Sequence, residues 1–288
     1  MRRFATFFII LLILGVLGGC APRAAVPEAV SLPESRAAAQ GIVPEKLEPE
    51  REDIGDNITL TIHPGDTIAR VAWALEEMGA LTSAEFVEAV QSGDFGEFPL
   101  VAALPHDSRR FFALEGYLLP GEIEIYPGEA ADEIIRRMLA GTERMIDEQL
   151  RDEIARRGLS VDEVLTMASI IQRESLGDDA AKPLVSSVIH NRIRTGMMLQ
   201  MCMTSFYVRD YIAPFYPGDP ARFHTYYNTY YFHGLPAGPI CNPGLPAIRA
   251  ALFPAQTAYF FYIWDNDDNF HFAAGWEEHV ANVQRYLG

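Results

Sequence analysis

The amino-acid sequence predicts an α+β fold, in which helices form most of the core and short strands or hairpins line a groove. Apolar residues recur at helical spacing in several segments, beginning with the one that follows Asp66. The segment from Ile58 to Ile62 instead alternates apolar and polar residues, which is typical of a short strand. A third segment, after residue 204, is dense in tyrosine, proline and glycine, which indicates loops or short strands.

Composition limits the class of protein. The chain has 288 residues, of which 49% are hydrophobic and 22% are charged, so it can bury one large core or two modest ones. These proportions exclude a disordered or fibrous protein. The formal net charge of -16 becomes -18 once residues 1–19 are removed, which argues against nucleic acid as a partner.

The amino terminus predicts export. Two arginines precede an apolar run from Phe4 to Leu17, which is shorter than the roughly 20 residues that span a bilayer as a helix. Residues 1–19 are therefore predicted to be a secretory signal peptide. The small residues directly before Cys20 resemble a bacterial lipobox, which implies cleavage before this cysteine and its acylation. An ordinary signal peptide or an uncleaved anchor is the alternative, and each version exports the protein.

The next two segments are predicted to be a tether and a small module. Residues 20–57 are rich in proline, alanine and glutamate, and are predicted to form a lipidated tether. Residues 58–105 begin with the strand and a Pro-Gly-Asp-Thr turn, followed by a helix that Asp66 caps and that ends near Gly79. A second helix is predicted from Ser83 to Gln91. This order resembles a LysM-type glycan-binding module, which implies a βααβ fold.

The rest of the chain divides into a connecting region and a larger domain. Residues 106–150 are predicted to connect the small module to the larger domain, and they contain a predicted strand from Glu122 to Tyr126. They also contain a helix from Ala130 to Leu139 that is predicted to end at Gly141. Residues 151–288 are predicted to carry the chemistry.

One glutamate near a helix end is the strongest candidate for chemistry. Ser160 and Glu163 have the spacing of a capping box, which predicts that a helix starts there. Glu174 falls between the apolar and polar faces of this helix and projects beside Ile170 and Ile171. Scarce water at that position disfavours the ionised carboxylate and raises its pKa, as a general acid requires. An ordinary exposed glutamate at a helix end is the alternative.

Two features follow this helix. A further helix is predicted from Val185 to Met198. The run from Tyr226 to Tyr231 combines aromatic rings with amide and hydroxyl groups, a mixture that stacks on sugar rings and hydrogen-bonds to their hydroxyls. A half-buried sheet would explain the same residues equally well.

Four ordered stretches carry a family resemblance. They are Ala168-Ser169-Ile170-Ile171 with Glu174, Asn191 to Gln200, Tyr227 to Tyr230, and Gly234 to Gly244. From about Ile58 to Gly288 the chain resembles the endolytic murein transglycosylase family, also called YceG-like or MltG. The resemblance implies that Glu174 is the catalytic acid/base, and Gln172 stands where the family has another glutamate. The predicted substrate-binding residues are Asn191, Gln200, Thr204, Tyr227, Asn228 and Tyr230.

The resemblance also implies an activity and a location. The expected enzyme is a lyase that cleaves the β-1,4 bond between N-acetylmuramic acid and N-acetylglucosamine without water and leaves 1,6-anhydro ends. Its expected partners are peptidoglycan glycan strands and cell-wall synthesis proteins, and its expected location is the cell envelope or periplasm, anchored to a membrane. A lysozyme-like hydrolase is one alternative, with Glu115, Glu122 or Glu278 as the second carboxylate. A non-catalytic peptidoglycan-binding lipoprotein is the other.

The sequence departs from the family at one place. The family usually has an aspartate where this chain has Cys202. Together with Cys241, this residue is a possible disulfide pair in an oxidising compartment. We expect neither a metal nor a cofactor, because the chain has no His-Glu-x-x-His motif and no clustered ligand spacing.

Overall fold

A two-stranded antiparallel sheet brackets the first part of the fold. The computed structural model describes residues 57–288. Strand β1 (Ile58–Ile62) pairs with β2 (Gly121–Ile125), with Ile58 opposite Ile125 and Leu60 opposite Ile123. Three helices lie between the two strands: α1 (Ile68–Glu77), α2 (Ser83–Ser92) and the short α3 (Pro99–Ala102).

The strand, helix, helix and strand of the predicted module are present, with two differences. The closing strand β2 comes from the region predicted to be a connection, and residues 57–288 form one compact unit. Helix α1 is capped by Thr67 and not by Asp66, because the Thr67 hydroxyl accepts a hydrogen bond from the Arg70 amide at 3.2 Å. Asp66 instead pairs with the Arg70 side chain at 2.9 Å. The likeness to LysM modules stays a prediction.

Helix α4 (Ala131–Met145) is longer than predicted, and α5 (Glu148–Arg156) follows it. The predicted end at Gly141 is wrong. The next residue, Thr142, is 1% exposed, and its hydroxyl donates to the Tyr117 carbonyl and accepts from the Leu119 amide. These tertiary bonds hold the last turn in helical form and outweigh the low helix propensity of glycine.

The central helices of the core are α6 (Val161–Glu174), α7 (Lys182–Thr195) and α10 (Leu245–Leu252). The capping box that starts α6 is confirmed, with both of its reciprocal bonds formed. Every residue of α6 from 164 to 172 is buried, so other elements surround this helix. Helix α7 ends at Thr195, before Gly196, whose φ of +69° stops the helix three residues before the predicted end.

The tyrosine-rich part of the chain is largely helical. Helix α8 (Cys202–Tyr207) continues directly into a π-helical turn (Val208–Ile212), and α9 (Ala221–Tyr227) follows after a loop. The alternative of a half-buried sheet is therefore wrong for this segment. Phe223 and Tyr227 lie four residues apart on one side of α9, and both are buried, so the helix satisfies the apolar residues of this stretch.

A hairpin and a helix complete the fold. Strands β3 (Phe261–Trp264) and β4 (Phe270–Ala273) are antiparallel, with Tyr262 opposite Phe272. Helix α11 (Trp276–Tyr286) contacts both strands. The predicted signal peptide, the Cys20 lipobox and the tether up to residue 56 lie outside the residues that the structure describes. Within residues 57–288 no helix is long and apolar enough to span a membrane.

Candidate active site

Glu174 lies at the last position of α6 and is 1% exposed. The Tyr262 hydroxyl on β3 donates a hydrogen bond to Glu174 Oε2 at 2.7 Å. The Met203 amide at the start of α8 donates to Oε1 at 3.2 Å. Burial raises the pKa of Glu174, and these two hydrogen bonds act in the opposite direction. The carboxyl group is therefore held in one orientation and retains its proton at a higher pH than an exposed glutamate.

Two arginines act on this carboxyl group from a distance. The positive charges of Arg192 and Arg173 both lower the pKa of Glu174, but less than burial raises it. Both arginines donate hydrogen bonds to backbone carbonyl groups: Arg192 to those of Phe260 and Leu199, and Arg173 to that of Gly65. The two charges and the two hydrogen bonds offset only part of the effect of burial, so the pKa of Glu174 stays above that of an exposed glutamate.

Arg192 connects the two elements that donate to Glu174. Its side chain is 7% exposed, and its Nε donates to the Phe260 carbonyl at 2.7 Å, just before β3. Its Nη1 donates to the Leu199 carbonyl at 2.5 Å, four residues before Met203. One guanidinium group thus fixes the spacing between the hairpin and the segment that leads into α8. The positions of both donors to Glu174 depend on this spacing.

Two of the predicted substrate-binding residues lie at or near the surface of the site. Tyr230 is half-buried, and burial together with the negative charge of Glu174 raises the pKa of its hydroxyl. Gln200 is exposed and has a φ of +49°, and its amide donates to the Thr229 carbonyl at 3.1 Å. A non-glycine residue in this left-handed region carries strain that often marks a functional site.

The other predicted substrate-binding residues lie beneath that surface. Thr204 is 0% exposed, and its hydroxyl donates to the Met201 carbonyl at 2.6 Å. Tyr227 is also fully buried, with its ring 5.1 Å from that of Tyr207. Both side chains therefore pack in the interior of the protein. The amides of the remaining two are bonded within the protein: Asn191 donates to the carbonyls of Thr257 and Tyr259, and Asn228 accepts from the Tyr230 amide.

The possible Cys202–Cys241 disulfide is not formed. Cys241 is a free, buried thiol, and its sulfur lies 3.4 Å from the Ser169 carbonyl oxygen. Cys202 Sγ instead lies 3.9 Å from Glu174 Oε1. Their contacts on α6 are five residues apart, which corresponds to about 140° around the helix and about 7.5 Å along it. The two cysteines therefore approach different sides of α6.

The neighbouring Gln172 has a structural contact. Its side-chain oxygen accepts a hydrogen bond from the Gly244 amide at 3.2 Å, immediately before α10. The side chain is 8% exposed. Gln172 thus joins α6 to the start of α10, and Glu174 is the carboxyl group of this motif.

Of the three glutamates considered as second carboxylates, two are hydrogen-bonded to other residues and the third is exposed on a strand. Glu115 is 1% exposed and accepts from the Tyr207 hydroxyl at 3.0 Å and from the Ile68 amide at the start of α1. Burial raises its pKa to about 8. Glu122 is exposed on β2, and Glu278 is exposed on α11, where it accepts from the Ala274 amide at 2.9 Å. Across residues 57–288 no group of three or more His, Cys, Asp or Glu side chains is arranged to hold a metal ion.

Comparison with known proteins identifies the family. The sequence matches the YceG-like family over residues 38–285. The chain belongs to the YceG-like family. A crystal structure of a YceG-like protein from Listeria monocytogenes superposes with a TM-score of 0.65 at 28% identity, covering 78% of this chain and 75% of that one. The α+β fold, with its small sheets, is thus shared with a YceG-like protein of known structure.

Curated relatives of this YceG-like chain carry the name endolytic murein transglycosylase. The Bacillus subtilis protein is 30% identical over 175 residues, which cover 60% of this chain and 48% of the relative. The Streptococcus pneumoniae protein of strain D39 is 27% identical over 247 residues, covering 80% of this chain and 44% of the relative. The chain therefore spans about half the length of the curated relatives it matches.

Sequence reasoning missed Tyr262, Arg192 and the Met203 amide as neighbours of Glu174 in this YceG-like chain. Tyr262 lies 88 residues after Glu174, and its segment has no local motif that would connect the two. Arg192 lies inside a stretch that carried the family resemblance, but its position was not singled out. The backbone amide of Met203 leaves no signal in a sequence.

Proposed function

We propose that this protein is a lytic transglycosylase of peptidoglycan and that Glu174 is its single catalytic acid and base. The observation that carries the proposal is the geometry of Glu174, a buried carboxyl group with raised pKa, oriented by Tyr262 and the Met203 amide. The names of the curated relatives support the same reaction. The substrate would be the β-1,4 bond between N-acetylmuramic acid and N-acetylglucosamine.

Protonated Glu174 would donate its proton to the glycosidic oxygen as the bond from C1 of the muramic acid to this oxygen breaks. The carboxylate would then take the proton of the C6 hydroxyl as the C6 oxygen bonds to C1. The proton lost in the first step returns in the second, so Glu174 is regenerated and no water is consumed. One carboxyl group suffices for this route, whereas the usual hydrolases need two carboxylates within about 5 to 9.5 Å of each other.

Access to the carboxyl group involves its covering side chains. Glu174 is 1% exposed, so a sugar reaches it only when a neighbouring side chain moves. Tyr230 is half-buried, and the charge of Glu174 raises the pKa of its hydroxyl, so we assign Tyr230 as the side chain that moves. Gln200 is exposed, and its amide bonds the carbonyl of Thr229, the residue before Tyr230. Its side chain would bind the sugar directly. Thr204, Tyr227, Asn228 and Asn191 would support these two residues from beneath.

The proposal also covers the location of the protein and its further binding partners. Export and acylation of Cys20 would place the enzyme in the cell envelope, anchored to a membrane by lipid. Residues 20–57 would act as a tether. The strand and helices from β1 to α2, closed by β2, would bind glycan as a LysM-like module, and cell-wall synthesis proteins would be further partners.

The test is product analysis with purified sacculi. We expect wild-type protein to release muropeptides that lack one water relative to hydrolytic products and have no reducing end. Glu174→Gln keeps the side-chain size and should lower release by at least about 100-fold, because it removes the transferable proton. Gln172→Glu is the matched control and should not restore release in the Glu174→Gln variant.

Two results would contradict the proposal. Reducing ends in the digest would indicate a lysozyme-like hydrolase. Equal release by wild type and Glu174→Gln would contradict the catalytic role of Glu174. Binding without release by both proteins would favour the non-catalytic scaffold.

A further inference from the structure

Trp73 is a tryptophan on the solvent side of α1. The apolar face of this helix is buried and consists of Ile68, Ala69, Val71, Ala72 and Leu75. Trp73 lies outside that face and is 38% exposed. Single exposed apolar residues are common, but a contiguous group of exposed rings indicates a binding surface.

Trp73 is the exposed member of a contiguous group of three aromatic rings, of which the other two are half-buried. Its ring stacks on that of Phe215, with centroids 5.7 Å apart and planes inclined by 26°. The centroid of the Tyr211 ring lies 6.2 Å from that of Trp73. Phe215 and Tyr211 are half-buried, so each ring packs partly against the core and is partly open to solvent. We call Trp73, Tyr211 and Phe215 the aromatic platform.

The backbone that places Tyr211 has an unusual conformation. The turn from Val208 to Ile212 is π-helical, and the Ala213 amide donates to the Val208 carbonyl at 3.0 Å. Val208 and Ile212 are buried on the inner side of this turn, which leaves Tyr211 directed towards α1. Single π-helical turns are rare, and they occur frequently at functional sites.

Arg173 connects the aromatic platform to the candidate active site. It precedes Glu174 directly, and its guanidinium carbon lies 5.7 Å from the centre of the Tyr211 ring. Its Nη1 also donates to the Gly65 carbonyl, in the loop before α1, at 3.3 Å. Arg173, the residue next to the proposed acid, therefore contacts one ring of the platform.

We propose that the aromatic platform is a binding subsite for one N-acetylated sugar ring of the glycan strand, remote from the bond that is cleaved. This inference rests on the proposed function. The C–H groups on one face of a pyranose ring pack against an aromatic ring, while its hydroxyl and acetamido groups stay hydrated. Arg173 supplies donors for the oxygens of the same strand between the platform and Glu174.

The size of the platform favours a sugar over a protein partner. An aromatic side chain buries about 150–250 Å² when it is fully covered, so three partly exposed rings offer on the order of 200 Å². A specific protein interface needs about 800 Å² from each partner. One sugar ring matches the smaller area.

Binding measurements on the full chain in the Glu174→Gln background test the inference without cleavage. The probes are glycan strands freed of peptide by an amidase and a β-1,4-linked hexamer of N-acetylglucosamine. We expect Trp73→Ala to raise the Kd for both probes about tenfold, equivalent to about 1.4 kcal/mol. Trp73→Phe, which retains a ring, should stay within about threefold of its parent.

Phe253→Ala is the matched control, because Phe253 is 53% exposed and lies under Arg157, apart from the platform. Circular dichroism and thermal unfolding establish that each variant is folded. An unchanged Kd in Trp73→Ala, or an equal loss in Phe253→Ala, would overturn the subsite. Failure of the proposed function shows instead as wild-type products without anhydro ends, a readout that does not depend on these Kd values.

Discussion

The hydroxyl of Tyr262 lies 2.7 Å from Glu174 Oε2 and connects the C-terminal hairpin to the end of α6. This hydrogen bond stabilises the ionised carboxylate and so lowers the pKa of Glu174, against the larger effect of burial. In the proposed mechanism Tyr262 is thus a positioning residue that also lowers the pKa of the acid. Burial raises the pKa of the Tyr262 hydroxyl, and the charge of Glu174 and this hydrogen bond act in the same direction, so the hydroxyl keeps its proton and remains a donor.

Tyr262→Phe should shift the pH profile of the enzyme upward. In the proposed mechanism the first step needs protonated Glu174, so activity should be lost as the pH rises through the pKa of this residue. Removing the hydroxyl removes an effect that lowers this pKa, so the loss of activity should move to higher pH. We also expect the maximal rate to fall about tenfold, because the carboxyl group is less well oriented.

The measurement for Tyr262→Phe is the rate of anhydro-muropeptide release between pH 4 and 9. Tyr259→Phe is the control, because the rings of Tyr259 and Tyr262 both pack against Phe272. The centroids of the Tyr259 and Phe272 rings are 5.4 Å apart. An alkaline limb at the same pH in wild type and Tyr262→Phe would contradict the role assigned to this hydroxyl.

Glu115 should make the protein less stable as the pH rises towards 8. Its pKa is raised from 4.5 to about 8 by burial, so the folded state holds a proton that the unfolded state loses between these values. The stabilisation is complete below about pH 4.5 and is lost as the pH rises through 8. Over this window the free energy of unfolding should fall by up to about 1.4 kcal/mol per pH unit.

Denaturant unfolding at pH 5, 6, 7 and 8 measures this slope. Glu115→Gln should make it shallower, while Glu122→Gln, a change at an exposed position on β2, should leave it as in wild type. The contrary result is a slope that Glu115→Gln does not alter.

The parts of the structure that the sequence predicted are those with local signals. The capping box at Ser160 and Glu163 needs only residues three apart, and it starts α6 as predicted. The apolar setting of Glu174 followed from helical spacing, which fixes its neighbours on the same helix. Local spacing thus placed the candidate acid and the direction of its pKa shift.

The parts that were missed depend on distant contacts. The tertiary bonds of Thr142 carry α4 past Gly141, and the packing of Phe223 and Tyr227 makes a helix of a segment rich in strand-forming residues. The predicted sugar-binding motif around Tyr227 could not reveal which side chains face inward. Similarly, the separation of 39 residues between Cys202 and Cys241 does not reveal which side of α6 each cysteine approaches.

Cys241 should be unreactive in the folded protein. Its thiol is 0% exposed, and burial raises its pKa, so little thiolate is present at pH 8. We expect iodoacetamide to leave Cys241 unmodified in native protein and to modify it fully in guanidinium chloride. Trypsin separates residues 195–209, with Cys202, from residues 223–249, with Cys241. A non-reduced digest containing these two peptides linked together would contradict the structure.

Gln200 and Thr204 should respond in opposite ways to substitution, although both were predicted to bind substrate. Gln200 is exposed, so Gln200→Ala should raise KM several-fold and change the free energy of unfolding by less than about 0.5 kcal/mol. Thr204→Val keeps the shape but removes the hydroxyl that bonds Met201 and Thr229, which should cost about 1–3 kcal/mol of stability. Unfolding curves and Michaelis–Menten analysis of both variants measure these effects, and a stable Thr204→Val variant with a raised KM would reverse the assignment.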